Sequence, residues 1–573
     1  MPRAGRKKKK HKRKAADPQQ IAQRKQRNSI RKLFAHLDFT RIKSGGAQFQ
    51  FEGRTGEIDD IFVCDNIMVL AEYTTAQDTT GHVSRKNILY DLINQNQEGW
   101  LQFVRTSFQD ADQKLGNAYL DSDYRVKICY FSSPSVSEEI ENKLKHIHFL
   151  SGTTFRYFES LAKSIHRTAR FEFFKYLDLD FRDIGDAVKS SSLKAQSFAG
   201  YVLPAAFSSF PKNFKVVSFY ADPKTLLTMS YVLRRDSWRD DEGMYQRVLQ
   251  RGRMNQMRKY LTTEKRVFVN NIIVTLPDDT KLNSPSDRGK NIDDAKLVNV
   301  EHVSVNVPYR SDVIGIVDGQ HRVFCYYEGD DKYEPKIKTM RERQNLLVTG
   351  IIYPPSYTEK EKRRFEAKLF LEINDKQKRT GSELKQSIEL VLNPMSTLAI
   401  AKAVIQGLNQ RGALKGLLQT NFFDPPHLIK TTSIVSYGLR PLLKFDGDDT
   451  LFNKWTNSQK NVLRDRGEEA AAQALRDEYV AFCVDSINNL LIAAKKSDPD
   501  RWRVPESAKD RVLSPTIING YIVCLRLLVE NKKSMSASYY DQKFKELSQF
   551  SFRAYKSSSW RSLGEKLYER FFG

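Results

Sequence analysis

With 573 residues, 40% of them hydrophobic and 28% charged, the chain has room for about two to four domains and the balance of a folded soluble protein. Its net charge of +24 favours a polyanionic partner. No apolar run approaches the roughly 18–20 residues needed to span a bilayer, and the basic N-terminus lacks the apolar core of a secretory signal. Cys64, Cys129, Cys325, Cys483 and Cys524 lie far apart with no C-x-x-C, so reduced thiols, no zinc site, no membrane partner and a cytoplasmic location are expected.

Residues 1–32 hold fourteen Lys and Arg against one acid, Asp17, so 13 of the 24 charges lie there and the other 541 residues share +11. The run MPRAGRKKKKHKRK repels itself and has almost nothing to bury. Residues 1–33 are therefore expected to be a basic disordered tail that binds DNA or RNA by counterion release, without sequence preference. A mixed helix is predicted around Gln19 to Leu37.

Two apolar strands follow, Ile58 to Cys64 and Ile67 to Ala71, joined by an Asp65-Asn66 turn into a hairpin. Asp59 or Asp60 at the start of the first and Glu72 at the end of the second converge on one end of the sheet. Paired carboxylates there can hold a Mg²⁺ that activates water and neutralises a scissile phosphate. The stretch resembles the core of PD-(D/E)xK nucleases. That resemblance implies a restriction-endonuclease-like α/β domain over residues 34–150, with Glu57 as an additional upstream acid and Asp59 and Glu72 as metal ligands. Thr74 stands where such enzymes carry lysine, and a threonine cannot supply the positive charge that orients the attacking water. Lys86, on the helical stretch Val83 to Leu89, is the candidate for a migrated lysine, and Gln77 is a further polar candidate. The competing reading is an amphipathic hairpin whose acids face solvent.

Tyr124 to Phe131 alternates as a strand, and His146 and His148 flank Ile147 in a short extended pattern with no third ligand, so no metal role is assigned to them. From Thr153 to Leu177, Phe155, Phe158, Leu161, Ile165, Ala169 and Phe173 describe one helical stripe, which makes residues 151–195 a helical linker. Lys189 to Ser192 is a polar break suited to a domain boundary.

The most informative stretch is Val313 to Gly329, VIGIVDGQHRVFCYYEG. Val313 to Val317 reads as a buried strand, and Val323, Phe324 and Tyr327 as the buried face of a following helix, so Asp318-Gly319-Gln320-His321-Arg322 occupies a strand-to-helix corner. Such a corner suits an anion: helix N–H groups point outward, Gly319 admits a close approach and Arg322 can grip a phosphate. The pentapeptide resembles the signature of the DGQHR-domain family, whose DndB-like members belong to DNA phosphorothioation systems and which is similar to the ParB/sulfiredoxin-type fold. Tyr245-Gln246-Arg247 before the helical segment Val248 to Leu261, the strand-like Val269 to Val274, and Phe370 to Gln377 match further parts of that pattern. The resemblance implies a central α/β DGQHR domain over residues 196–385 whose pocket gathers Gln246, Arg247, Asp318, Gly319, Gln320, His321, Arg322, Asn374 and Gln377. ATP or another NTP is the implied ligand, held by Arg322 and the backbone at Gly319, with Asp318 placing Mg²⁺ and His321 or Gln320 orienting water.

Residues 278–299 read as a polar surface loop, Leu346 to Tyr353 as a second buried strand, and Thr358 with Glu361 as a capping box. Residues 386–573 are predicted helical, with stripes at Leu475, Tyr479, Phe482 and Cys483, at Ile517, Tyr521, Cys524 and Leu528, and at Leu563, Leu567 and Phe571. The chain thus reads as an α/β multidomain protein. Two functions stay open. One is a DNA-associated protein of a bacterial DNA-modification or phage-defence system, with NTPase or metal-dependent nuclease activity; the other is a non-catalytic DNA-binding regulator or sensor with a degenerate nuclease domain. Homo-oligomers or partner proteins of such a system are compatible with either, and the tail also permits an RNA-directed or toxin-like protein.

Overall fold

A computed structural model describes residues 17–44, 46, 48–76, 78–132, 136–189, 195–211, 213–232, 249–285, 290–292, 297–375, 388–421, 423–465, 469–504, 513–556 and 558–573. The fold is mixed α/β, and the chain divides into two compact units, Met1–Tyr231 with Leu249–Ile352, and Val232–Val248 with Tyr353–Gly573. The boundary thus falls at Tyr353, inside the 196–385 stretch expected as one domain. The tail residues 1–14, Gln77, Gln246, Arg247 and Gln377 lie outside the described residues. No helix among the described residues is long and apolar enough to cross a membrane.

The first sheet of the first unit runs Thr40–Ile42, Asp60–Cys64, Ile67–Thr74, Arg125–Ser132, Ile147–Ser151 in spatial order. Its first two pairings are antiparallel and its last two parallel. The predicted hairpin closes with Cys64 opposite Ile67. Asp65 takes the left-handed conformation, φ 51°, which Asp tolerates better than most side chains. Asn66 is buried and staples the turn, donating to the carbonyls of Asp123 and Asp183 and accepting from Gly185 N, each at 2.8 Å.

Alternation then sorts the hairpin onto two faces. Ile61, Val63, Met68 and Leu70 pack with Val83, Tyr90 and Trp100, contributed by the helices Thr79–Gln95 and Gln97–Ser107. On the opposite face Phe62 stacks on Phe34 at 4.0 Å. Phe34 belongs to the helix Pro18–His36, capped by Asp17, which accepts from Gln19 N at 3.0 Å. The tail assignment for residues 1–33 is corrected over its second half: from Pro18 the chain is helical, because Ile30, Leu33 and Phe34 give this basic segment an apolar end to bury.

The predicted stripe after Thr153 is a helix pair, Gly152–Ile165 and Arg170–Tyr176, broken at His166, whose φ is 44°. His148, on the last strand, is 8% exposed, and burial, assisted by Lys127, lowers its pKa to about 3. The unfolded chain therefore binds this proton from an ordinary pKa of about 6.5 downward while the native state refuses it until about 3. The expected result is a stability contribution present above pH ~6.5 and lost as pH falls toward 3, at up to about 1.4 kcal/mol per pH unit. Urea melts between neutral pH and pH 4 should show a shallower acid limb for His148→Gln than for wild type, and equal slopes would contradict this assignment.

The second sheet has eight strands, ordered Ser230–Tyr231, Ile314–Asp318, Ile272–Leu276, Leu346–Ile352, Lys215–Ala221, Ala195–Leu203, Glu301–Pro308, Lys281–Asn283. The expected strand Val269 to Val274 starts at Ile272, and Val269 is left 77% exposed. The expected loop over 278–299 contains an edge strand, because Lys281–Asn283 pairs antiparallel with Glu301–Pro308. The helix at the pentapeptide starts within it, at Gln320, and is short, ending at Phe324, although Val323, Phe324 and Tyr327 are buried as predicted.

The described part of the second unit is largely helical. Thr358 N donates to Glu361 Oε2 at 2.8 Å and Glu361 N to Thr358 Oγ1 at 3.3 Å, closing the predicted capping box on Glu359–Asp375. The three C-terminal stripes lie in one core built from Glu469–Ser497, Pro515–Glu530 and Trp560–Phe571. The last two helices approach closely at Gly564, where a Cβ would stand 2.5 Å from Val523 and 2.8 Å from the Gly520 carbonyl oxygen.

Candidate functional site

Asp60 pairs with Ala71 across the hairpin, so the next rung sets Asp59 beside Glu72 on the face covered by Thr79–Gln95. That helix lays His82, Lys86 and Tyr90 over the pair, at successive four-residue steps on one side. Lys86 Nζ bonds directly to Glu72 Oε2 and also donates to the Glu57 carbonyl at 3.2 Å. A lysine therefore does meet the second carboxylate, from about two helical turns into the helix that starts at Thr79 rather than from the strand. Thr74 is turned to local use, its Oγ1 accepting from Ala76 N at 3.1 Å and its carbonyl from Gln26 at 3.0 Å.

The Glu72 carboxylate is completely buried, and burial pushes its pKa up to about 8, with Lys86 opposing and Asp59 reinforcing the shift. Its Oε1 and the hydroxyl of Tyr90 are buried without a hydrogen-bond partner. Burial and the neighbouring Glu72 hold the Tyr90 phenol well above its usual range. Glu72 is also in register with Tyr130 on the adjoining strand. Tyr130 Oη lies 2.8 Å from His82 Nδ1, and burial, then Lys86 and Arg85, lowers the His82 pKa. His82 and Tyr90 were not singled out from sequence; their spacing from Lys86 was the available signal.

The two adjacent acids have different employments. Asp60 is wholly buried on the other face, accepting from Arg31 Nε at 2.6 Å and Nη2 at 3.0 Å, and from Arg41 and the Tyr73 hydroxyl. That leaves it committed to fastening the N-terminal helix. Asp59 is partly exposed, and its Oδ2 accepts from Tyr73 N at 2.8 Å. It opens into a cleft of about 570 Å³, walled by Tyr73, Thr74 and His82 and by Gln19, Gln20, Gln23, Arg24, Gln26 and Arg27 of the N-terminal helix. The exposed Glu57 carboxylate is turned elsewhere, with Oε1 3.0 Å from where a Cβ on Gly46 would stand, so only its backbone joins the Lys86 contact.

No group of three or more His, Cys, Asp or Glu gathers as a metal site among the described residues. Two carboxylates suffice for Mg²⁺, which keeps several waters and takes substrate phosphate oxygens as ligands. Asp59 facing the cleft, together with the orphaned Oε1 of Glu72, is a donor set that fits such an ion.

At the pentapeptide, Gly319 has φ 97°, a conformation that favours glycine, and a Cβ there would stand 2.7 Å from Ile272 and 3.1 Å from Arg322 Nη2. The guanidinium of Arg322 thus folds back over Gly319, where Nη2 donates to Asp318 Oδ2 at 2.6 Å. Both side chains keep partial exposure, 19% for Arg322 and 33% for Asp318, so the pair is closed yet reachable. Gln320 is buried and His321 half-buried. Asn374 lies in the second unit, where its side chain donates to the Phe370 carbonyl at 2.9 Å.

Against the segment that follows the pentapeptide, Arg258 of the helix Arg251–Glu264 is wholly buried. It bonds Asp331 and Glu334, each at 2.8 Å, and the carbonyls of Cys325 at 3.1 Å and Tyr327 at 2.7 Å. This network, which sequence reading missed, fixes the backbone that leaves the DGQHR corner. Comparison of the chain with protein-family models, with curated proteins and with solved structures found no match.

Proposed function

We propose that this protein is a Mg²⁺-dependent phosphodiesterase acting on nucleic acid, with Asp59, Glu72 and Lys86 as its reacting centre. The observation that carries this reading is the contact of Lys86 with Glu72 beside Asp59, which returns a cation to a carboxylate pair whose strand lacks one. Arg24 and Arg27 give the opposite wall of the cleft the charge to hold a phosphate backbone. Asp59 and Glu72 would hold the ion, which when bound neutralises the scissile phosphate and acidifies water. Lys86 draws the Glu72 pKa down against burial and would add positive charge where the transition state is most negative. The DGQHR corner is a phosphate- or nucleotide-responsive site in this reading, engaged when an anion takes Arg322 from Asp318. Its resemblance makes a DNA-modification or phage-defence system the proposed setting.

A non-catalytic DNA-binding regulator is the second reading. It is favoured by the full burial of Glu72 under Lys86, which leaves Asp59 as the acid facing the cleft. The two are separated by incubating the full chain with labelled duplex and single-stranded DNA in Mg²⁺, Mn²⁺ or EDTA. The phosphodiesterase yields product that EDTA suppresses; binding with no metal-dependent product leaves the regulator.

A further inference from the structure

The outer strands of the eight-stranded sheet carry a further candidate site, beside those at Asp59–Glu72 and at the pentapeptide. Along Ala195–Leu203 and Lys215–Ala221, Phe198 and Phe219 point inward and stack at 4.8 Å, while Tyr201 and Tyr220 point outward, 54% and 61% exposed. Tyr201 is opposite Ser218 across this strand pair, which sets Tyr220 diagonally next to it on the same face. On the other side Tyr201 is opposite His302, also exposed, with ring centroids 5.4 Å apart. Three ring-bearing side chains thus stand on three adjoining strands.

The strands around them mix small and apolar residues with hydroxyls and amides, and the carboxylate that the register places on this face, Asp318, lies three strands from Tyr220. Ser197 and Ser304 hydroxyls lie 2.7 Å apart, Asn306 donates to Asn283 at 2.8 Å, and Asn271 donates to Thr349 at 3.0 Å. Lys281 shares this face through its pairing with Asn306. None of the described strand residues alternating onto this face in Ala195–Leu203, Lys215–Ala221, Lys281–Asn283, Glu301–Pro308 and Leu346–Ile352 is Asp or Glu. A protein-docking core would be more apolar than this. Exposed rings over hydroxyls and amides, with Lys281 on the same face, suit unpaired bases and an anionic backbone. A duplex presents no base faces to such rings.

We infer that this open sheet face binds single-stranded nucleic acid, with successive bases stacked on Tyr201 and Tyr220 and His302 flanking them. The test is fluorescence anisotropy of the full chain with short labelled oligothymidylate and oligouridylate. EDTA keeps binding independent of any cleavage, and salt above physiological suppresses the contribution of the basic tail. The Tyr201→Ala/Tyr220→Ala pair should weaken binding at least about 10-fold, because each base stacked on an aromatic ring is worth about 1–3 kcal/mol. The Tyr→Phe pair should bind as wild type, since stacking needs the ring and not the hydroxyl. The Tyr→Leu pair, which keeps apolar bulk, should behave as the Ala pair and serves where the latter melts early. Unchanged affinity in both the Ala and Leu pairs overturns the inference, as does equal loss in the Phe pair. Loss of self-association in sedimentation with oligonucleotide affinity intact would also overturn it and make the face a protein interface.

Discussion

Replacing Lys86 with methionine should lower the proposed metal-dependent cleavage by about 10²–10³-fold while leaving the fold intact. Methionine keeps the length and apolar stem of the side chain, so helix Thr79–Gln95 loses only the ammonium. Two consequences follow from that single loss. The positive charge beside the proposed phosphate site disappears, and Glu72 loses the neighbour that draws its pKa down. With burial and Asp59 both raising that pKa, already about 8, Glu72 in the variant is protonated at neutral pH and cannot ligate a cation. Residual cleavage by Lys86→Met should therefore climb with pH further into the alkaline range than wild-type cleavage does. Lys86→Arg should recover only part of the rate, because the planar guanidinium keeps the charge but places it differently. Rates that match wild type at every pH would remove Lys86 from the chemistry.

The hairpin bearing this site was legible because its signals are local: two β-branched runs, a turn of Asp65-Asn66, and acids at one end. Choosing between Asp59 and Asp60 was not possible from the sequence, since alternation separates the two acids but does not say which face a helix with a lysine will cover. Lys86 could be named as a candidate from its position after the strand. The phase of its helix, which also brings His82 and Tyr90 to the carboxylates, is a tertiary fact. At the DGQHR corner, the strand and the special glycine were readable, while the closure of Arg322 onto Asp318 depends on how tightly the backbone turns at φ 97°. Lys281–Asn283 escaped notice because three residues with one apolar side chain, Leu282, carry no usable period. Arg258 was legible in principle. Met254, Arg258 and Leu261 recur at helical spacing on the buried side of Arg251–Glu264, so an arginine on an apolar stripe marked a buried charge in need of partners.

That buried charge sets the largest expected stability effect. Arg258→Met should destabilise the first unit by about 3–5 kcal/mol, because it removes the cation and leaves its acids and carbonyls behind. Asp331 is bound by Nε at 2.8 Å and Nη2 at 3.1 Å, and Glu334 by Nη2 at 2.8 Å; the Tyr327 ring lies 3.9 Å from the guanidinium carbon. Arg341 does not substitute for it. Its guanidinium is already committed to the carbonyls of Tyr326 at 2.5 Å and Tyr327 at 2.8 Å and to Glu334 at 2.7 Å. Thermal melting should fall by roughly 10 °C, and Arg258→Lys should fall nearly as far, since an ammonium cannot span two acids and two carbonyls in a plane. Adding Asp331→Asn to Arg258→Met should return part of the loss, because one of the stranded charges is then gone. The damage is expected to reach the pentapeptide, whose exit backbone loses its bonds at the Cys325 and Tyr327 carbonyls, so hydrogen exchange should quicken from Gly319 to Tyr327 before the first sheet responds. A variant that melts with wild type, or protects that segment equally well, would mean that Arg341 and the surrounding core hold the corner without Arg258.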